Sequence, residues 1–447
     1  MKTGRVEQRV QAALRCEAQG DLVRAEREYR AALEISPRHL GALNNLGFLY
    51  AARGRFEPAA QLFRRAVLAD PADAQAQLNL AGALREMGEE AAALEGLARL
   101  LTRDPGLAAA RLNLANLLRS QGRLDEARPH YQRLLRDDPG NGQARWNLAA
   151  LEGLAGDHAA AFAGFAQHHA LQPAAPPPAL PRWRGEPLAG RRILIEADQG
   201  LGDSLMFCRY VGRVRDLGGR VILRAQPELA PLLATLDGVE QLAGRDRTPP
   251  RADLWFPLVD LPTVLGAAPE PLAAPYLTPP PDRLAALGPL APDRPGLRVG
   301  LVWAGNPAHP DDRNRSASLG ELAPLLAATP DVEWVSLQVG PRAGEGAQHG
   351  LAPADLQLKD FADTAAALAR LDLLISVDTA VLHLAGALGR PAWALLPFAP
   401  DWRWMLGRAD SPWYPSLRLY RQSRPRDWSE LARRIADDLR ALARKAG

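Results

Sequence analysis

Pro37, Pro71, Pro105, Pro139 and Pro173 stand 34 residues apart, and Gly54, Gly88, Gly122 and Gly156 keep the same interval. A regular spacing of helix breakers divides the first 173 residues into equal units. Units of this size bury their apolar faces only against one another. On the same period Leu46, Leu80, Leu114 and Leu148 coincide, as do Ala59, Ala93, Ala127 and Ala161, and Phe63, Leu97, Tyr131 and Phe165. Small residues stand where two helices touch, and a proline ends the second. The predicted element is a helix pair, and the predicted array is an α-solenoid.

The pattern, strongest over residues 40–73, resembles the tetratricopeptide repeat. A further unit before it, with Ala25, Tyr29, Ala32 and Pro37, and three after it make about five repeats over residues 1–173. The resemblance implies a superhelix whose concave wall, lined by the first helices, holds extended peptide. Asn45, Asn79, Asn113 and Asn147 fall in one column of those helices. Their carboxamides suit a peptide backbone, and suit equally a structural ladder between repeats.

The full 447 residues are enough for about three domains. A net charge of only +3 gives no electrostatic case for nucleic-acid binding. Cys16 and Cys208 are too few for a disulfide framework or a cysteine-rich metal site and suit a reducing compartment. With no apolar N-terminal core and no run of about 18 apolar residues, neither a signal peptide nor a membrane span is expected, and the cytoplasm is the expected location.

After the repeats, the Pro-rich residues 174–190 are expected to be an extended linker. Two runs of short apolar strands follow. The first has segments 192–197, 220–225 and 254–259, with a helix expected over 203–217. A second Pro-rich break at 275–295 leads to segments 297–303, 332–337, 371–377 and 392–396. The reading is two successive doubly wound α/β domains, over 191–290 and 291–447, with a cleft at their strand ends and an amphipathic closing helix from about Trp428.

Three stretches carry the candidate chemistry. Asp378 and Thr379 end an apolar strand where a helix N-cap belongs, so the backbone N–H groups beginning at Ala380 face any bound anion, and His383 lies one turn on. That segment reads equally as a capped helix with a satisfied histidine. In Gly200-Leu-Gly202-Asp203 the glycines permit close approach and Asp203 is a candidate general base, with Asp198 a weaker one. In the third, a strand ends at Gly305-Asn306 and hands over to Arg313, Arg315 and Ser316, a loop suited to neutralising a diphosphate. Gln338, Asp363 and Thr364 are expected near the base or ribose. The aromatic loop containing Phe398, Asp401, Trp402, Arg403, Trp404, Trp413 and Tyr414 suits either sugar stacking or domain packing.

Taken in order, these motifs resemble the heptosyltransferase-like glycosyltransferases of the GT-B fold, and behind tetratricopeptide repeats they resemble bacterial repeat-containing glycosyltransferases. The resemblance implies an acceptor-side Rossmann-like domain followed by a nucleotide-sugar-binding one. It implies Asp203 as base, with Gly202, Asp378, Thr379, Ala380 and His383 on the donor. Where the family carries a lysine after the first strand of the second domain, this chain has Arg313-Asn-Arg315. The expected activity is inverting and metal-independent transfer from a nucleotide-diphosphate sugar to a hydroxyl, with no cofactor, and with Ser or Thr of a protein held by the repeats as acceptor. A lipid or polysaccharide acceptor, or a non-catalytic scaffold, are the alternatives.

Overall fold

The computed structural model describes residues 2–173, 178–266, 275–288, 290, 296–351 and 358–446. It contains two compact units, residues 1–147 and 148–447.

Ten helices form the repeats: α1 (Lys2–Ala18), α2 (Leu22–Ile35), α3 (Leu40–Ala52), α4 (Phe56–Ala69), α5 (Ala74–Met87), α6 (Glu90–Arg103), α7 (Ala108–Ser120), α8 (Leu124–Asp137), α9 (Gly142–Ala155) and α10 (His158–Leu171). The glycine column is stereochemical. Gly20, Gly54, Gly88, Gly122 and Gly156 all have φ between 70° and 94°, the left-handed region that ends the first helix of each pair. The prolines follow the second helices, as at Pro37 two residues beyond Ile35. The alanine column Ala25, Ala59, Ala93, Ala127 and Ala161 has no exposed surface at all, since it fills the contact between paired helices.

In the second unit, β1 (Arg192–Glu196), β2 (Arg220–Ala225), β3 (Val239–Gly244) and β4 (Leu254–Pro257) form a parallel sheet in the order β3-β2-β1-β4. A second parallel sheet, β6-β5-β7-β8-β9, is built from β5 (Arg298–Val302), β6 (Glu333–Ser336), β7 (Leu373–Val377), β8 (Ala392–Leu396) and β9 (Leu417–Arg421). Its core includes Val299, Leu301, Ile375 and Leu395, closed by Leu431, Ile435 and Leu439 of the Trp428–Ala446 helix. The C-terminal region is thus α/β with parallel sheets, as expected.

Several expectations are corrected. The stretch expected as one helix over 203–217 is two, Leu201–Phe207 and Val211–Asp216, joined by a 3-10 turn. The third apolar segment is strand only to Pro257, and Leu258–Asp260 is a 3-10 turn. The edge strands β3 and β9 were not expected: β3 is polar and half-exposed, and in β9 Arg418 and Arg421 interrupt the buried Leu417, Leu419 and Tyr420, so neither has an unbroken apolar run.

Two boundaries also differ. Residues 174–177 of the linker, and 289 and 291–295 of the second Pro-rich break, lie outside the described residues. The linker's later part is no free spacer. Trp183 is fully buried, its N–H donates to Trp255 O (3.0 Å), and Trp255 N–H donates to Pro181 O (3.1 Å), continuing the sheet beyond β4. The end of α9 and all of α10 belong to the α/β unit, so the compact units divide at 147/148 rather than at Pro173. The His158 ring stacks on Trp413 with centroids 5.0 Å apart, and Phe165 packs on Trp402 at 5.2 Å. Asp260, only 1% exposed, holds His169 Nδ1 of α10 at 2.7 Å and Arg182 Nη2 at 2.8 Å.

Candidate functional site

The site lies where the two sheet-bearing halves of the second unit meet. Strand β7 ends at Val377, and its chain turns through Asp378 and Thr379 into the Ala380–Ala387 helix. Thr379 is the N-cap residue, yet no side chain caps that helix; Thr379 Oγ1 instead lies 3.1 Å from Ser376 Oγ. The first half brings Gly202 against this terminus. A Cβ on Gly202 would come within 3.0 Å of His383 Cδ2 and 3.8 Å of Ala380 Cα, so glycine is what lets the two helices approach. Asp203 follows, and its carboxylate is paired with Arg403 of the second half.

Around the helix start stand groups whose polarity is unspent. Among the described residues, Arg315 Nε, Arg403 Nε and Trp404 Nε1 are buried with no hydrogen-bond partner. Trp404 is fully buried and its ring stacks on His383 at 5.4 Å. Three orphaned donors beside an uncapped helix N-terminus are the electrostatic signature of an anion site. Arg315 reaches Gly305, where a Cβ would sit 3.0 Å from Nη2. The residues fit an anionic ligand such as a phosphate ester.

Electrostatics refine the picture. Burial pushes the Asp378 carboxyl up to about 6, with the Asp401 charge adding to it, while the Trp404 indole, Arg315 and Arg403 oppose the shift. Trp404 lies beyond ordinary hydrogen-bond geometry, but its N–H still favours the ionised carboxylate. His383 is pushed well below its usual value by burial, then by Arg403, Arg209 and Arg315, and is neutral at pH 7. Its Nδ1 meets Tyr414 Oη at 2.9 Å, and its Nε2 is 3.9 Å from Asp378 Oδ1.

A raised carboxyl pKa means that the folded state disfavours ionisation. Stability is therefore lost as pH rises from about 4, the unfolded value, through about 6. Asp378→Asn removes that cost. The variant is expected to melt with the wild type near pH 4 and above it from pH 6.5 upward, by on the order of 1–3 kcal/mol. Thermal melts across that range check it; a gap that is constant with pH sinks the assignment.

Other candidates have different employment. Gln338 is a staple: its Oε1 accepts from Trp303 N (3.0 Å) and Ala304 N (2.9 Å), and its Nε2 donates to Ala304 O and Val339 O. With both ends of the amide engaged, the expected base contact is withdrawn. Asp363 takes Arg283 Nη1 at 2.6 Å and Thr364 Oγ1 donates to Asp360 O, which removes that pair as well. Ser316 Oγ accepts from Gly305 N (2.9 Å) and donates to Asp312 (2.7 Å), holding the loop in shape. Asn306 is exposed and shapes its turn by accepting from Ala308 N, and Arg313 is exposed.

Trp402 lies on α9 so closely that a Cβ on Gly153 would come within 2.8 Å of its ring, so it is core and not a sugar platform. Asp401 accepts Arg403 N and Nη1, positioning that side chain. Asp198 is half-buried, its carboxyl raised chiefly by burial.

The asparagine column divides. Asn79 Nδ2 donates to Asn44 Oδ1 (3.2 Å) while its Oδ1 accepts from Gln75 (2.8 Å), and Asn147 likewise joins Asn116 (2.7 Å) and Gln143 (3.2 Å). Those two tie neighbouring repeats together; Asn45 and Asn113 are half-buried. Sequence reasoning missed Arg209 and Tyr276. Arg209 is buried, donates to Met206 O and Trp413 O at 2.8 Å each and to Tyr276 Oη at 3.1 Å, and lies over the Tyr414 ring. A lone arginine within Met206-Phe-Cys-Arg-Tyr-Val211 was its only trace.

Among the described residues no helix is long and apolar enough to cross a membrane. The tetratricopeptide repeat family profile matches residues 17–84 and 84–151. Protein FlbA of Caulobacter vibrioides (strain ATCC 19089 / CIP 103742 / CB 15) is 34% identical over 291 residues, which is 59% of this chain and 48% of that protein. The chain thus spans about half of FlbA's length, and the match takes in a larger share of this chain than its helical array occupies. Among solved structures, MamA is 24% identical with a TM-score of 0.33, over 36% of this chain and 94% of its own. YrrB, described as a TPR protein with an unusual peptide-binding site, is 22% identical with a TM-score of 0.32, over 37% and 85%. Residues 17–151 thus carry tetratricopeptide repeats, the chain is similar over part of its length to FlbA, and a parallel-sheet α/β region follows the repeats.

Proposed function

We propose that the α/β region is a GT-B glycosyltransferase, transferring a sugar with inversion from a nucleotide-diphosphate donor to a hydroxyl. The supporting observation is the set of buried, unpartnered donors Arg315 Nε, Arg403 Nε and Trp404 Nε1 around the uncapped Ala380–Ala387 helix, with Asp203 facing it from the other half. In this reading Asp203 takes the proton of the acceptor hydroxyl as its oxygen attacks the anomeric carbon. The bond from that carbon to the β-phosphate oxygen breaks, and its electron pair leaves with the nucleoside diphosphate. The helix N-terminus and the two arginines stabilise the departing charge, so no metal is required. The acceptor is a Ser or Thr of a polypeptide held by the repeats, with Asn45 and Asn113 as the remaining peptide-contacting carboxamides.

The test is a thermal-shift panel of UDP, GDP, CDP, ADP and dTDP and their sugars on the wild type and on Arg315→Gln. One nucleotide is expected to raise Tm by several degrees at saturating concentration, an effect reduced in the variant. No shift with any nucleotide would leave the repeats as the functional part of the chain.

A further inference from the structure

Asp203, in its present contacts, is poorly placed to act as a base. Its Oδ1 accepts from Arg403, and its Oδ2 lies against the Gly200 turn, where a Cβ would come within 3.1 Å. Arg403 is held from elsewhere: Nη1 donates to Asp401 Oδ1 at 2.7 Å, and the guanidinium lies 4.6 Å from the centroid of the Trp402 ring. Trp402 is itself fixed in the core by Phe162 and Phe165. The guanidinium therefore has an anchored edge at Asp401, a second edge on Asp203, and a buried Nε with no partner. The charge of Arg403 also acts on Asp378 and His383 at the start of the Ala380–Ala387 helix, so one guanidinium borders both the Asp203 carboxylate and the uncapped terminus.

We propose that Arg403 is shared between the Asp203 carboxylate and the diphosphate of the donor, so that donor binding draws the guanidinium off Asp203 and unmasks it for the acceptor. This rests on the donor reading above and adds an order of events to it. The donor must bind first, and a hydroxyl arriving at the empty enzyme meets a carboxylate already engaged. Proton transfer to Asp203 then occurs only when the leaving group is in place, and the same arginine neutralises the charge that the breaking bond releases.

The experiment is a double-mutant cycle read by calorimetric binding of inorganic pyrophosphate and of UDP, GDP, CDP, ADP and dTDP to the full chain. If Asp203 competes for Arg403, Asp203→Asn tightens binding by about 3- to 10-fold in the wild-type background. The gain vanishes in the Arg403→Gln background, which itself binds at least about 10-fold more weakly. Equal tightening in both backgrounds means simple charge repulsion, and unchanged affinity in Asp203→Asn means no competition. Either overturns the exchange while leaving the donor site standing. Binding of none of the probes to the wild type or to Asp203→Asn removes both proposals. Asp203→Ser makes the same comparison if the asparagine variant does not fold.

Discussion

Asp203→Asn is expected to lower transfer by about 10²–10⁴-fold, the usual worth of a positioned general base, while nucleotide affinity stays at or above the wild-type level. The split matters because Asp203 is also half of an ion pair across the cleft. Breaking that pair does not leave the guanidinium unpaired, because Arg403 keeps its second carboxylate, Asp401. A variant that loses turnover yet melts within a few degrees of the wild type and still binds nucleotide supports the base. Retained turnover would move the proton acceptor elsewhere, with Asp198 the next carboxylate to test. Loss of nucleotide binding together with turnover would make Asp203 structural.

The second large effect concerns where the chain can be cut. Removing residues 1–141 keeps α9 and α10 whole and is expected to leave a folded α/β region whose nucleotide affinity matches that of the full chain. Removing residues 1–173 deletes α10. That cut strips Phe162 and Phe165 from Trp402 and Trp413, takes His158 off the Trp413 ring, and leaves Asp260 without His169. Two buried phenylalanines and the tryptophan surface they cover represent on the order of 5 kcal/mol of apolar burial, comparable with a whole domain's margin. The shorter chain is expected to aggregate or to unfold at ambient temperature, and circular dichroism melts of the two truncations decide the matter. If the chain lacking residues 1–173 melts like the one lacking 1–141, α10 is ornamental to the α/β region. The same pair of chains separates the acceptor classes. Protein acceptor turnover should fall in the 142–447 chain, whereas transfer to a lipid or polysaccharide acceptor should persist.

What the sequence disclosed follows how locally each feature is determined. The repeats were legible because Gly54 and its equivalents answer to a backbone torsion and Ala59 and its equivalents to a helix contact, both set within one unit. Interior strands such as β5 and β7 were legible because burial on both faces leaves an unbroken apolar run, and the edge strands β3 and β9 were not. The turn at Asp378 and Thr379 was legible for the same local reason. Partnerships were not. Gln338 could serve a ligand or a backbone, and only the fold shows that Trp303 and Ala304 take both of its ends. Arg403 was read within a loop suited to sugar stacking or domain packing, and the fold shows it paired with a carboxylate 200 positions away in the chain. Trp402 was assigned equally to ligand and core, and Gly153, from a segment assigned to the repeats, decides for core.

The seating of α10 within the α/β unit also bears on how such a chain can change over generations. Every helix pair before α9 is interchangeable in register, closed by the same glycine torsion and the same proline. Gain or loss of one 34-residue unit upstream of residue 142 would lengthen or shorten the array by a whole step and leave the packing within the α/β unit unchanged. The last pair has no such liberty, because its outer surface has been conscripted by another fold. Variation in the number of copies should therefore be found towards the N-terminus, with the final copy drifting furthest from the common pattern.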